Sequence, residues 1–593
     1  MKRSIQAIMA VGAVGMMAIG APALAQSFKI GTLEIKGKPA EIDTNPFAMF
    51  GGGEPTLRTL VDAIHSAATS ASNNALLVRL KDAQLSMTQT EELGAAMDAY
   101  RQTGKQVWVF GEGFATSDLL LASHADRVLA QPHGPVMFPG LYMEEMFLAD
   151  TLAWVGIKAD MVQIGDYKGA AEQMSRTSPS PAWDQNISQL LDSMYDNMRA
   201  HIKDGRHMND AELDHAMEAS WFCDTEKAVE VGLIDSPTDL TEIEQAFQEG
   251  PADHTISWSG SIVPQKANPM AALANPFGIF TMLAKKPEQH PTDDTIAVLH
   301  INGVIVDGDS SSGGLFGGGS NVGARTVRNA IEDILGEDLI HGVVVRIDSP
   351  GGSATASETI WRGIRRLAEK KPVWVSVGGM AASGGYYIAV AGDKIYVNPS
   401  SIVGSIGVVG GKMALDGLYD LLKVHVHPRT RGPMANMFRS TKPWTEQELT
   451  TVRTRMTETY ELFTRRVSVG REGIDLSKTA EGRLFTGNKA IGLRMADEIG
   501  GLEKAITDLA DSLSLTSYDV MDYPTPKSIE EYMQDMFGGM AKSPVDGKAA
   551  IEGMAKTVLG DKAWPQVQQA LEGAALLQKQ PVILMTPSVL IEK

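Results

Sequence analysis

VVVRIDSPGGSAT, residues 343–355, decides the fold. Its first half is a β-branched run without polar alternation, the pattern of a strand buried on both faces in a helix-covered parallel sheet. Its second half, Asp348-Ser349-Pro350-Gly351-Gly352, reads most simply as a tight strand-to-helix turn. Glycines at the carboxyl end of a strand also let backbone N–H groups face a cavity, as stabilisation of an oxyanion requires. Taken alone, the segment leaves both readings open.

Working outward, the same segment exists twice. LLVRL (76–80) corresponds to VVVRI (343–347), and VWV occurs at 107–109 and again at 373–375. ADRVLAQP (125–132) matches GDKIYVNP (392–399), and KAVEVGLID (227–235) resembles KAIGLRMAD (489–497). Upstream, FGGG recurs at 50–53 and 316–319, followed by TLVDAI (59–64) and TVRNAI (326–331). Blocks kept in one order at a near-constant offset mark an internal repeat. In each copy short β-branched runs alternate with longer amphipathic segments. The expectation is an α/β protein of two tandem domains with mostly parallel sheets and crossover helices. The expected domains are 26–250 and 295–515, joined by a linker at 251–294 and followed by an extension, 516–593, whose role is not legible.

Composition narrows the function classes. With 593 residues, 43% of them hydrophobic, the chain can bury two cores and is neither disordered nor collagen-like. A formal net charge of −19 and the lack of a Lys/Arg run argue against a nucleic-acid partner. The opening, MKRSIQAIMAVGAVGMMAIGAPALAQS, pairs Lys2 and Arg3 with an apolar run and ends in Ala23-Leu24-Ala25. It reads as an export signal over 1–25 cleaved before Gln26; an uncleaved anchor is the alternative. A single cysteine, Cys223, excludes an intramolecular disulfide and reads as a small packed hydrophobe. The glycine runs 51–53 and 313–319 lack the Gly-Lys-Ser/Thr ending of a phosphate loop and read as loops or lids. An apolar patch at 276–284 is too short to span a membrane, and SIEEYMQDMFGGMAKS (528–543) reads as a Met-rich amphipathic helix.

The chemistry concentrates in MAASGGYY (380–387), where Ser383 follows the strand-like VWVSV and precedes an apolar, helical-looking segment. A hydroxyl at such a turn is presented outward like a nucleophile, although an N-cap serine is the plainer reading. Comparison of the copies changes the balance. Opposite Asp-Ser-Pro-Gly-Gly stands Lys81-Asp82-Ala83-Gln84-Leu85, and opposite Ser383 stands Thr116 or Ser117. Turns needed only for folding would be needed in both copies. Histidine is a poor candidate for the base: His425 and His427 alternate along an expected strand, and His300 lies in the apolar strand IAVLHINGVIV. A lysine becomes a base when burial lowers its pKa. Copy one offers Lys168 in Gly165-Asp-Tyr-Lys-Gly-Ala-Ala171, where copy two has Ala435.

These residues carry a resemblance. IDSPGGS (347–353), AASGGYY (381–387), NPSSIVGSIGVVG (398–410), GDYKGAAE (165–172) and GRLFTGNKA (482–490) are similar to the signal peptide peptidase A family of serine-lysine peptidases, family S49, in its long tandem-repeat form. The resemblance spans about 40–515. It implies a ClpP/crotonase-like fold, Ser383 as nucleophile and Lys168 as general base. It further implies an oxyanion hole from Gly352 or Gly351 with Gly384, and Ser405 orienting the lysine amine. No metal or cofactor is implied. The implied substrates are apolar remnants of cleaved signal peptides, and the implied state is a periplasmic homotetramer at the inner membrane. The alternative is a catalytically silent envelope scaffold that kept the fold.

Overall fold

A computed structural model describes residues 28–42, 54–248, 255–264, 290–311, 321–525, 582–586 and 590–592. The expected signal over 1–25, both glycine runs, the apolar patch at 276–284 and the Met-rich helix at 528–543 lie outside the described residues.

The first repeat builds a parallel six-stranded sheet in the order Ile256–Ser261, Phe28–Gly37, Ala75–Ala83, Gln106–Gly111, Arg127–Ala130, Ser236–Pro237. The second builds the order Leu484–Thr486, Ile402–Gly404, Val373–Ala382, Ile340–Ser349, Thr295–Asn302, Asp519–Tyr523. Those strands are parallel except for Leu484–Thr486, which runs antiparallel to Ile402–Gly404. Parallel neighbours require crossovers, and the amphipathic segments supply them. Leu57–Thr69 and Met87–Gln102 in one copy match Ala324–Gly336 and Ala354–Ala368 in the other. Each second helix starts on a serine cap: Ser86 accepts from Gln89 N and Ser353 from Ala356 N. Val343, Val344, Val345 and Ile347 are fully buried, as a run without alternation demands.

A third sheet joins the two repeats. Its order is Asn321–Gly323, Val304–Val306, Gly351–Ser353, Val582–Met585, Val408–Ala414, Lys158–Ile164, the last from the first repeat. Across the junction, Arg346 on the second sheet is buried between Glu41 and Glu92 of the first repeat. Its guanidinium donates to Glu41 at 2.9 Å and to Glu92 Oε1 at 2.7 Å.

Several expectations need correction. Residues 256–261, placed in the 251–294 linker, form an edge strand beside Phe28–Gly37; backbone pairing at an open edge leaves no mark in composition. Within the 516–593 extension, Asp519–Tyr523 extends the second sheet and Val582–Met585 enters the third. His425 and His427 are not on a strand: 424–431 is an exposed irregular segment whose alternation has no sheet edge to join.

Candidate active site

Ser383 closes the strand Val373–Ala382 and caps the helix Gly384–Ala389. Its backbone sits at φ 54° and ψ −111°, a conformation sparsely populated by residues with a Cβ and characteristic of strained functional turns. Ser383 N donates to Gly404 O at 2.8 Å, and its carbonyl accepts from Tyr387 N at 2.8 Å. The turn is thus held from both sides. Its side chain makes no cap bond, so the N-cap reading of the serine does not apply.

Lys168 arrives from the other repeat, 215 residues away in sequence, with Nζ 2.7 Å from Ser383 Oγ. The same amine donates to Ser405 O at 2.9 Å and lies 2.8 Å from Ser405 Oγ. Two glycines make room for it, and a third, Gly165, lets the loop that carries it approach the Glu481 backbone. A Cβ on Gly482 would stand 2.5 Å from Lys168 N, one on Gly407 would stand 3.1 Å from Lys168 Cδ, and one on Gly165 would strike Glu481 backbone at 2.7 Å. The amine is fully buried, and burial, opposed by no carboxylate among the described residues, holds its pKa well below the usual lysine value. Ser405 has φ 54° and is anchored by its N–H to Arg483 O at 2.6 Å. Ala435, the residue aligned with Lys168, lies exposed in a turn, so copy two does not rebuild the lysine site.

Gly351 and Gly352 take φ of 100° and 156°. A Cβ on Gly352 would meet Ile305 O at 2.0 Å, which bars any other residue there. The Cβ position of Gly384 lies 3.2 Å from both Gly351 Cα and Gly352 N, so the two glycine turns adjoin. Of the two candidates, Gly351 already donates its N–H to Ser349 Oγ at 3.2 Å. Sequence reasoning missed the glycines at 407 and 482 that admit the lysine stem, although both fall inside quoted motifs. It also missed 582–586; the apolar VILM between two prolines was the available signal.

Comparison with known proteins defines the class first. The Clp protease family model matches residues 325–403, the segment holding both the glycine turn and the serine turn. Together with the fold, this fits a Clp-like α/β architecture. The model of peptidase family S49 matches twice, over 99–252 and 365–516, and the chain belongs to that family. It is 26% identical to Protease 4 of Salmonella typhi over 83% of this chain and 77% of that protein. It is 25% identical to the chloroplastic serine protease SPPA of Arabidopsis thaliana, over 84% and 72%. A putative signal peptide peptidase of Enterococcus faecium is 28% identical over 40% of this chain and 69% of that protein.

Proposed function

We propose that the protein is an exported endopeptidase that hydrolyses apolar peptides, such as cleaved signal peptides, with Ser383 as nucleophile and Lys168 as general base. The observation that carries this reading is the 2.7 Å contact between a fully buried lysine amine and a serine hydroxyl held at a strained turn. Neutral Lys168 takes the Ser383 proton as Oγ attacks the peptide carbonyl. The developing oxyanion is met by the N–H groups of Gly352 and Gly384. Lys168 then protonates the departing amine, and the acyl-enzyme is hydrolysed by a water that the same amine deprotonates. Ser405, which accepts from the amine through its carbonyl, aims the lone pair at Ser383.

Export and the apolar substrate class are supported by the basic-then-apolar opening ending in Ala23-Leu24-Ala25 and by the Enterococcus relative's name. Among the described residues no helix is long and apolar enough to cross a membrane. The same reading assigns the protein to the periplasmic side of the inner membrane as a homotetramer, after the family it resembles.

The test is turnover of an apolar peptide by Ser383→Ala and Lys168→Ala. Each should lose at least about 10³-fold in kcat while retaining the circular dichroism spectrum of the parent. Substantial turnover by either variant would overturn the pair, and failure of a fluorophosphonate to label the parent at Ser383 would favour a silent scaffold.

A further inference from the structure

The third sheet contains a strand where a peptidase needs a vacancy. Val582–Met585 runs antiparallel to the glycine turn, with Gly351 opposite Met585, Gly352 opposite Leu584 and Ser353 opposite Ile583. Its other edge pairs with Val408–Ala414, Val409 opposite Ile583 and Gly410 opposite Val582. Thr586 continues the line, donating its N–H to Pro350 O at 3.0 Å. Without this strand, Gly351–Ser353 and Val408–Ala414 would face each other across a slot one strand wide, each with an open backbone edge. Such a slot captures an extended peptide by main-chain hydrogen bonds, with side-chain pockets adding selectivity.

One such pocket is filled by Met585, which is buried against Ala171, Val304 and Val409, with Met161 and Met174 alongside. Like the Ser383 and Lys168 contact, it is assembled from both repeats. Ala171 lies three residues beyond Lys168, and Gly351, opposite Met585, adjoins Gly384. Two further observations fit a removable occupant rather than a permanent wall. Ser383 and Lys168 are both fully buried, so a substrate reaches them only after something moves. Thr586 is buried with Oγ1 unpartnered, a desolvation cost that docking of this segment carries uncompensated.

We propose that residues 582–586 are a built-in occupant of the peptide-binding slot, laid across the glycine turn as a substrate would be, and that an external apolar peptide must displace them to reach Ser383. The proposal rests on reading Ser383 and Gly352 as the reactive centre. It adds that the slot between Gly351–Ser353 and Val408–Ala414 takes an extended peptide paired on both edges, with an unbranched apolar side chain in the Met585 pocket. Because only the fraction of molecules with an empty slot binds, the apparent affinity for peptide falls by that fraction.

The test uses the full chain carrying Ser383→Ala, so that binding is read without turnover and its outcome is independent of the lysine assignment. The probe is a fluorescein-labelled synthetic peptide, PVILMTPSVL, the sequence of 581–590. Adding Met585→Asp, which expels the side chain from its apolar pocket, should tighten probe binding on the order of tenfold. It should also speed hydrogen exchange in peptides covering Gly351–Ser353. The milder Met585→Ala should move both readouts the same way by less, which covers the case in which the aspartate variant misfolds. Unchanged or weaker probe affinity in a folded variant, or a drop in melting temperature without gain in binding, would make 582–586 a fixed structural strand and overturn the proposal. Retained turnover by Lys168→Ala would instead refute the base assignment and leave this result standing.

Discussion

At the scale of single residues, the protein places a cation where a cation is disfavoured. Among the described residues Lys168 has no carboxylate partner, and its amine is shut off from solvent, so its neutral form, the one able to accept a proton, is favoured. The sign of the pH effect follows. The folded-state pKa lies below the ordinary lysine value of about 10.4, so between the two the unfolded chain binds a proton that the folded chain does not. Stability therefore rises with pH across that window, by about 1.4 kcal/mol per pH unit for this group, and is flat below it. We expect urea denaturation to show the parent gaining on Lys168→Met as pH rises toward about 10. Activity should climb with pH through the same ionisation, since only the neutral amine accepts the Ser383 proton. A flat stability difference between parent and variant would mean that Lys168 is charged in the fold.

At the scale of elements, the site depends on turns whose shape only glycine permits. Gly482 has φ 91°, and its missing Cβ leaves room for the backbone of Lys168. Gly482→Ala should strain the turn by about 1–3 kcal/mol and push Lys168 away from Ser383. A displacement near 1 Å costs on the order of 10²-fold in kcat, measurable on the same peptide assay with the fold intact by circular dichroism. The elements also show where sequence patterns mislead. The alternation VHVH does not become a strand, because period two predicts pleating only where a neighbouring edge accepts the hydrogen bonds. ISWSGS does become one, because the edge of Phe28–Gly37 is open to it.

At the scale of the whole molecule, the two repeats are locked face to face by buried charge. Glu92, on the helix Met87–Gln102 of the first repeat, accepts from Arg346 Nη2 at 2.7 Å, Asn398 Nδ2 at 2.8 Å and Leu502 N at 3.3 Å, all in the second. Burial pushes the Glu92 carboxyl pKa up while Arg346 pulls it down; Arg346 is itself pushed above its ordinary value by Glu41 and Glu92 against its own burial. Such a network is weak proof of stability but expensive to break, since removal of one member strands the others in a low dielectric. Glu92→Ala should lower unfolding stability by about 3 kcal/mol. Denaturant midpoints would read this directly, and a loss under 1 kcal/mol would mean that water replaces the carboxylate.

The sequence by itself determined what short-range pattern can encode. The β-branched run at 343–347, polar only at Arg346, required a strand covered on both faces, and the repeated blocks required two copies of one module. The loss of glycines from one copy and of lysine from the other indicated that the chemistry is divided between them. Only the tertiary structure decided what those halves touch. The Lys168 and Ser383 contact spans 215 residues of chain and is fixed by glycines at 407 and 482 and a sheet shared between repeats. The entry of Val582–Met585 beside the glycine turn was likewise illegible, because strand pairing is made by backbone groups that every sequence carries. Periodicity is a property of neighbours along the chain, whereas a site is a property of neighbours in space.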